Sequence, residues 1–141
     1  MGYTHYWRMT EPLKISKTQK ELIKEVLEEN KGILAQEYDK PNKPPVFNSK
    51  LLRFNGKGDE GHETLYIEFG KKEDFAFCKT AYKPYDEAVM KVLLILELSE
   101  GFTFSSDGAI DEEWKESLVW FTEKGFGSVL KNKTLPRFQA E

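Results

Sequence analysis

Two histidines, His5 and His62, and one cysteine, Cys78, are the only imidazole and thiol groups in the chain. They lack the close spacing of a zinc-binding helix or knuckle, so no metal is expected on them. A Cys78 nucleophile would need an adjacent base. His5 or His62 could serve, with Asp86 or Asp107 orienting the ring, but nothing local in the sequence pairs them. Cys78 follows Phe77 in an apolar stretch and reads as a small buried side chain. Glycines 56, 58 and 61 spell GxGxxG, yet a strand pattern follows them. A dinucleotide fingerprint needs a helix N-terminus there to hold pyrophosphate. No catalytic residue, metal or cofactor is therefore assigned.

Residues suited to holding an anion do cluster. Lys79 and Thr80 end a strand pattern and lead through Lys83 into Pro84-Tyr85-Asp86, the start of a helix. Helix-start amides attract anions, and lysines strengthen that field. Arg53 sits mid-strand two residues before Asn55, where a guanidinium can meet a carboxylate or phosphate. Thr4, His5, Tyr6 and Trp7 combine hydroxyl, imidazole and flat rings. Ser106 and Asp107 lie in a compact Ser105-Ser106-Asp107-Gly108 turn. These twelve residues (Thr4, His5, Tyr6, Trp7, Arg53, Asn55, Lys79, Thr80, Tyr85, Asp86, Ser106, Asp107) are the expected ligand-binding set.

The elements that would position them follow from hydrophobic periodicity. Residues 2–9 alternate as a strand. Ser16 with Gln19 forms a capping-box pattern that opens a first helix. Leu51 to Asn55, Glu63 to Phe69 and Phe75 to Thr80 read as strands on short connections, which favours an antiparallel meander. Pro84 to Gly101 reads as a buried helix, and Phe102 to Phe104 as a short strand. A third helix, capped by Asp111 and stopped by Gly125, follows, with a tail packing through Phe126, Leu130 and Phe138. The order β-α-β-β-β-α-β-α predicts an α+β fold: an antiparallel sheet of four to five strands with three helices, in one domain over 1–141.

The net charge of −3 and pI near 5.6 argue against a duplex nucleic-acid partner, which calls for a basic face. One cysteine excludes an intrachain disulfide. No apolar run approaches a membrane span and the chain opens on no secretory leader pattern, so no membrane partner and a cytoplasmic location are expected. Exposed strand edges leave room for a homo-oligomer.

Four stretches carry a resemblance. They are Gly2-Tyr3-Thr4-His5-Tyr6-Trp7, Arg53-Phe54-Asn55-Gly56, Phe77-Cys78-Lys79-Thr80 with Pro84-Tyr85-Asp86, and Ser105-Ser106-Asp107-Gly108. In these, and in their order, the chain resembles a group of small phage and bacterial proteins of no assigned activity. The resemblance implies a phage or prophage setting, and so the host cytoplasm. It also marks most of the polar residues named above.

The leading expectation is binding of a small anionic ligand, of which a nucleotide is one candidate. Rings would stack on Tyr6, Trp7 or Tyr82, and Lys79 with Arg53 would meet phosphate. In a phage this would sequester a host signalling nucleotide as counter-defence. The alternatives are a hydrolase of a nucleotide or phosphoester, with His5 or His62 as acid-base group, and an inhibitor of a host enzyme. The inhibitor would present an acidic helix face of Glu21, Glu25, Glu28 and Glu29.

Overall fold

A computed structural model describes residues 3–127. The chain forms β1 (Thr4–Met9), α1 (Lys17–Glu29), β2 (Leu34–Ala35), β3 (Val46–Phe47), β4 (Leu51–Gly56), β5 (Leu65–Glu68), β6 (Glu73–Lys79), α2 (Asp86–Leu96), β7 (Phe102–Ser106) and α3 (Lys115–Phe121). The class is α+β, as the sequence predicts. The strands number seven because two two-residue strands, β2 and β3, also pair with β4.

The strands divide between two sheets. One has the order β6-β1-β7, and in the other β4 pairs with β2, β3 and β5. Every pairing is antiparallel. The expected meander therefore stops after β5. At Gly70 the backbone turns through φ +80, and its N–H donates to Leu13 O at 2.7 Å. That turn carries β6 away from β5 and delivers it to β1. Since β6 and β7 both run antiparallel to β1, they are parallel to each other. α2 connects them with β1 between, a split β-α-β unit.

α2 is the centre of the core, and ten of its eleven residues are buried. Its run Val92-Leu93-Leu94-Ile95-Leu96 leaves no polar stripe, so the helix must be covered on all sides. α1 packs on one flank and α3 on another. The helix closes earlier than the sequence predicts, at Leu96, with Glu97 to Gly101 forming a turn. α3 also starts later than its Asp111 signal, because residues 111–114 form turns before Lys115. Gly125, at φ +100, sits inside a π-type turn over Thr122–Phe126. Phe126 packs on the core. Leu130, Phe138 and Gly2 lie outside the described residues.

α1 opens on the anticipated capping box. Gln19 N–H donates to Ser16 Oγ at 3.1 Å, and Ser16 N–H donates to Gln19 Oε1 at 2.7 Å. Gln19 has a second task. Its Nε2 donates to Ile95 O and Ser99 Oγ, both at 2.9 Å, and so ties the start of α1 to the end of α2. Ser16→Ala is expected to cost about 1 kcal/mol. Gln19→Ala should cost about 2–3 kcal/mol, since buried acceptors also lose their donor. Urea unfolding midpoints at unchanged slope would measure both.

Candidate functional site

Strand alternation sorts the polar residues onto two sides of the sheet β6-β1-β7. His5 lies opposite Cys78 on one neighbour and Ser106 on the other, so all three share the inner row. Tyr6 lies opposite Phe77 and Ser105, so these share the outer row.

The inner row is a closed hydrogen-bond network. Ser106 Oγ receives Trp114 Nε1–H and Gly108 N–H, each at 2.9 Å. A hydroxyl accepts two such bonds and donates one. Its proton therefore points at the remaining neighbour, His5 Nδ1, at 2.8 Å. That leaves the His5 proton on Nε2, donating to Asp86 Oδ1 at 2.7 Å. Thr80 Oγ1 donates to the same Asp86 oxygen at 2.6 Å. The rings of Tyr3 and Trp114 meet the imidazole edge-on, at 5.1 and 5.3 Å. Gly108 must be glycine, because a Cβ there would meet the Tyr3 hydroxyl at 2.7 Å.

The order serine, histidine, aspartate is that of a hydrolytic triad. The chemistry is not. His5 and Ser106 have no solvent exposure, and both lone pairs of Ser106 are occupied. No substrate carbon or phosphorus can approach Oγ, so the network holds structure together. Cys78 is similarly closed. Its thiol is buried against Glu63 O and the Tyr85 hydroxyl, and burial pushes it up to about 12. Burial likewise raises the Tyr3 and Tyr85 hydroxyls well above the usual tyrosine range.

Arg53 and Asn55 lie in the other sheet. Arg53 pairs with Glu37. Asn55 pins the loop 56–62: Nδ2 donates to His62 O and Thr64 Oγ1, and Oδ1 accepts from Gly56 N–H and His62 N–H. Gly56 and Gly61 approach too closely for either to carry a Cβ. The far end of this loop reaches the first sheet, where Lys79 N–H donates to Glu63 Oε1 at 2.7 Å. The RFNG stretch is thus a loop staple. His62 itself is exposed, away from His5 in the core. Among the described residues no three His, Cys, Asp or Glu side chains converge as metal ligands. No described helix is long and apolar enough to cross a membrane.

The outer row is different. Phe75 and Phe77 are 59% and 54% exposed, although they lie in the middle of a strand. Tyr6 is half-buried and stacks on Phe75 at 5.9 Å between centroids, and Phe75 meets Phe77 at 6.0 Å. Arg8 lies on the same face, opposite Thr103, and Lys79 opposite Thr4. A shallow cleft of about 170 Å³ runs among Tyr6, Arg8, Phe75, Thr103 and Ser105. Asp107 accepts Thr4 N–H at 3.1 Å and lies 3.4 Å from the Tyr6 hydroxyl. Partial burial, then the Asp107 charge, raises Tyr6 above its ordinary value, so the hydroxyl stays protonated.

Of the twelve sequence-predicted residues, Thr4, Tyr6, Lys79 and Asp107 gather on this outer side. His5, Thr80, Asp86 and Ser106 gather in the inner network, and Tyr85 is buried beside it. Trp7, expected as a stacking surface, instead faces the core at 4% exposure, because it falls one residue out of phase with Tyr6. Tyr82, the other stacking candidate, lies on Tyr3 at 3.9 Å. At the helix start expected to draw an anion, Asp86 and Glu87 occupy the first turn of α2. Sequence reasoning missed Arg8, Phe75 and Phe77. The signal was the alternation of large Phe75 and Phe77 with small Ala76 and Cys78, which marks which way each side chain points.

Ser106→Ala is expected to lose about 2–4 kcal/mol, since it strands two buried donors and the His5 acceptor. A nucleophile would instead be replaceable with little loss of stability. Cys78 should resist a thiol reagent at pH 8 until the protein unfolds. The sign of its linkage is fixed: the folded thiol holds its proton above the ordinary 9.0. Stability should therefore fall as pH rises from about 9 towards 12, where only the unfolded thiol ionises. Thermal melts across that range would show it.

None of the protein-family models, curated proteins and solved structures compared with this chain matches it.

Proposed function

We propose that the protein binds a nucleobase-bearing anion on the outer face of the sheet β6-β1-β7 and releases it unchanged. The observation that carries this is the ring set of exposed Phe75 and Phe77 with half-buried Tyr6, and a cation at each end, Arg8 and Lys79. Exposed clustered aromatics on a strand are costly to keep in water, and such patches mark interaction surfaces. A flat base gains stacking energy on a ring of this kind, roughly 1–3 kcal/mol per base. A phosphate gains a charge-assisted hydrogen bond from arginine or lysine. The hydroxyls of Thr103 and Ser105 supply donors and acceptors between the two.

Binding is favoured over hydrolysis because the serine–histidine–aspartate chain seen among the described residues is sealed in the core. Binding without turnover is also what sequestering a host nucleotide requires, in the phage setting that the sequence resemblance implies. The acidic face of α1 gives less support to an inhibitor role, since Glu25 pairs with Lys124 and Glu28 with Lys31.

Adenosine monophosphate and ribose 5-phosphate separate base from phosphate. In aromatic NMR spectra, adenosine monophosphate should shift the Phe75, Phe77 and Tyr6 ring signals upfield, and ribose 5-phosphate should leave them in place. Lys79→Ala should weaken the response several-fold. Arg53→Ala should not, because Arg53 is engaged with Glu37 on the other sheet. Ring signals unmoved by millimolar adenosine monophosphate would sink the proposal.

A further inference from the structure

We infer that the outer face takes a linear single-stranded nucleic acid and stacks two or three consecutive bases on Phe77, Phe75 and Tyr6. This rests on the nucleobase reading above and names its ligand.

The first ground is size. Pockets that enclose a ligand of drug size usually measure about 300–1,000 Å³ and bury most of its surface. The cleft on this face is about 170 Å³ and open. It is too small to enclose a mononucleotide, so one base on one ring would stay weakly held. A strand gains at each further ring it crosses.

The second ground is the spacing of the rings. Phe75 and Phe77 stand two apart on β6, so both point outward. Tyr6 stands beside them on β1, in register with Phe77. Centroid separations of 5.9 and 6.0 Å make a continuous track. Sheets that recognise single-stranded RNA use this placement, with two rings at i and i+2 on one strand and another on the neighbour. The segment Phe75-Ala76-Phe77 also has the small residue between its rings that such strands carry. Four of the seven specified positions depart from that pattern, at Glu73, Asp74, Cys78 and Thr80, and the first two are informative. Glu73 and Asp74 stand where those strands carry a basic residue and a glycine. The start of β6, which lies beside Arg8 in the ladder, therefore repels phosphate; Arg8 offsets that repulsion at one end of the track and Lys79 draws the backbone at the other.

The third ground is charge. Arg8 and Lys79 are in no ion pair among the described residues. Two contacts are few, which fits an acidic protein holding a short stretch of strand and excludes strong non-specific binding.

The test is fluorescence anisotropy with a labelled eight-nucleotide adenosine RNA, competed by adenosine monophosphate and by cyclic di-adenosine monophosphate. The octamer is expected to bind at least tenfold tighter than the mononucleotide. The slope of log K against log salt should be about −1.4, from two phosphates on a single strand. Arg8→Ala should bring that slope to about −0.7. Phe75→Leu with Phe77→Leu keeps apolar strand residues but removes the π faces, and should cost tenfold or more in octamer affinity. Circular dichroism would confirm that both variants fold. An octamer no tighter than the mononucleotide would overturn the strand inference and leave the nucleobase reading standing. So would a cyclic dinucleotide that outcompetes the octamer. Octamer binding that survives the double leucine variant would also overturn it. Failure of every probe to bind would overturn both.

Discussion

His5 accepts a hydrogen bond from Ser106 through Nδ1 and donates one to Asp86 through Nε2. One ring thereby joins the central strand, an edge strand and the first turn of the central helix. Thr80 brings the end of β6 to the same carboxylate, and Trp114 brings the approach to α3 to the same hydroxyl. In a low-dielectric interior each of these bonds is strong only because all are made. Leave one partner out and a buried polar group loses its bond at the full cost of its desolvation. The imidazole is therefore a junction whose neighbours fix one another's protons.

This junction decides what the other side of the sheet can be. A strand places alternate residues on opposite faces, so fixing His5 inward fixes Thr4, Tyr6 and Arg8 outward. Antiparallel register then fixes Phe77 beside Tyr6 and Lys79 beside Thr4. A slip of one residue would put Phe77 in the core and Cys78 in water, and would break the imidazole bonds in the same step. The buried chemistry and the exposed rings are thus two readings of one register.

Much of the fold was legible because its signals are local. The capping box at Ser16 and Gln19 and the apolar run of α2 depend on neighbours in sequence. The path of β6 was not legible. The short link after β5 looks like a hairpin, and only the left-handed Gly70, bonded to Leu13, shows that it diverts the strand. The twelve polar residues were visible as types, but their sides were not. Both faces of β1 carry aromatics, so periodicity alone could not tell Trp7 from Tyr6 as the buried ring. Phe75 and Phe77 look like core residues to any rule that equates apolar with inside. Arg53 and Asn55 share the sequence neighbourhood of a binding motif, yet a carboxylate and a tight loop already use them.

The position of β1 in the middle of its sheet also sets a timetable. Its partners are the strands at 73–79 and 102–106, so Thr4–Met9 has no native neighbour until most of the chain exists. His5 and Ser106 are 101 residues apart. Contacts of that separation close late, since the loop entropy precedes any gain. During synthesis the second sheet, whose pairings all fall between residues 34 and 68, can assemble first. The β1–β6 ladder that bears the rings can follow once residue 79 exists, and the first sheet is complete, with His5 bonded to Ser106, only when β7 has left the ribosome.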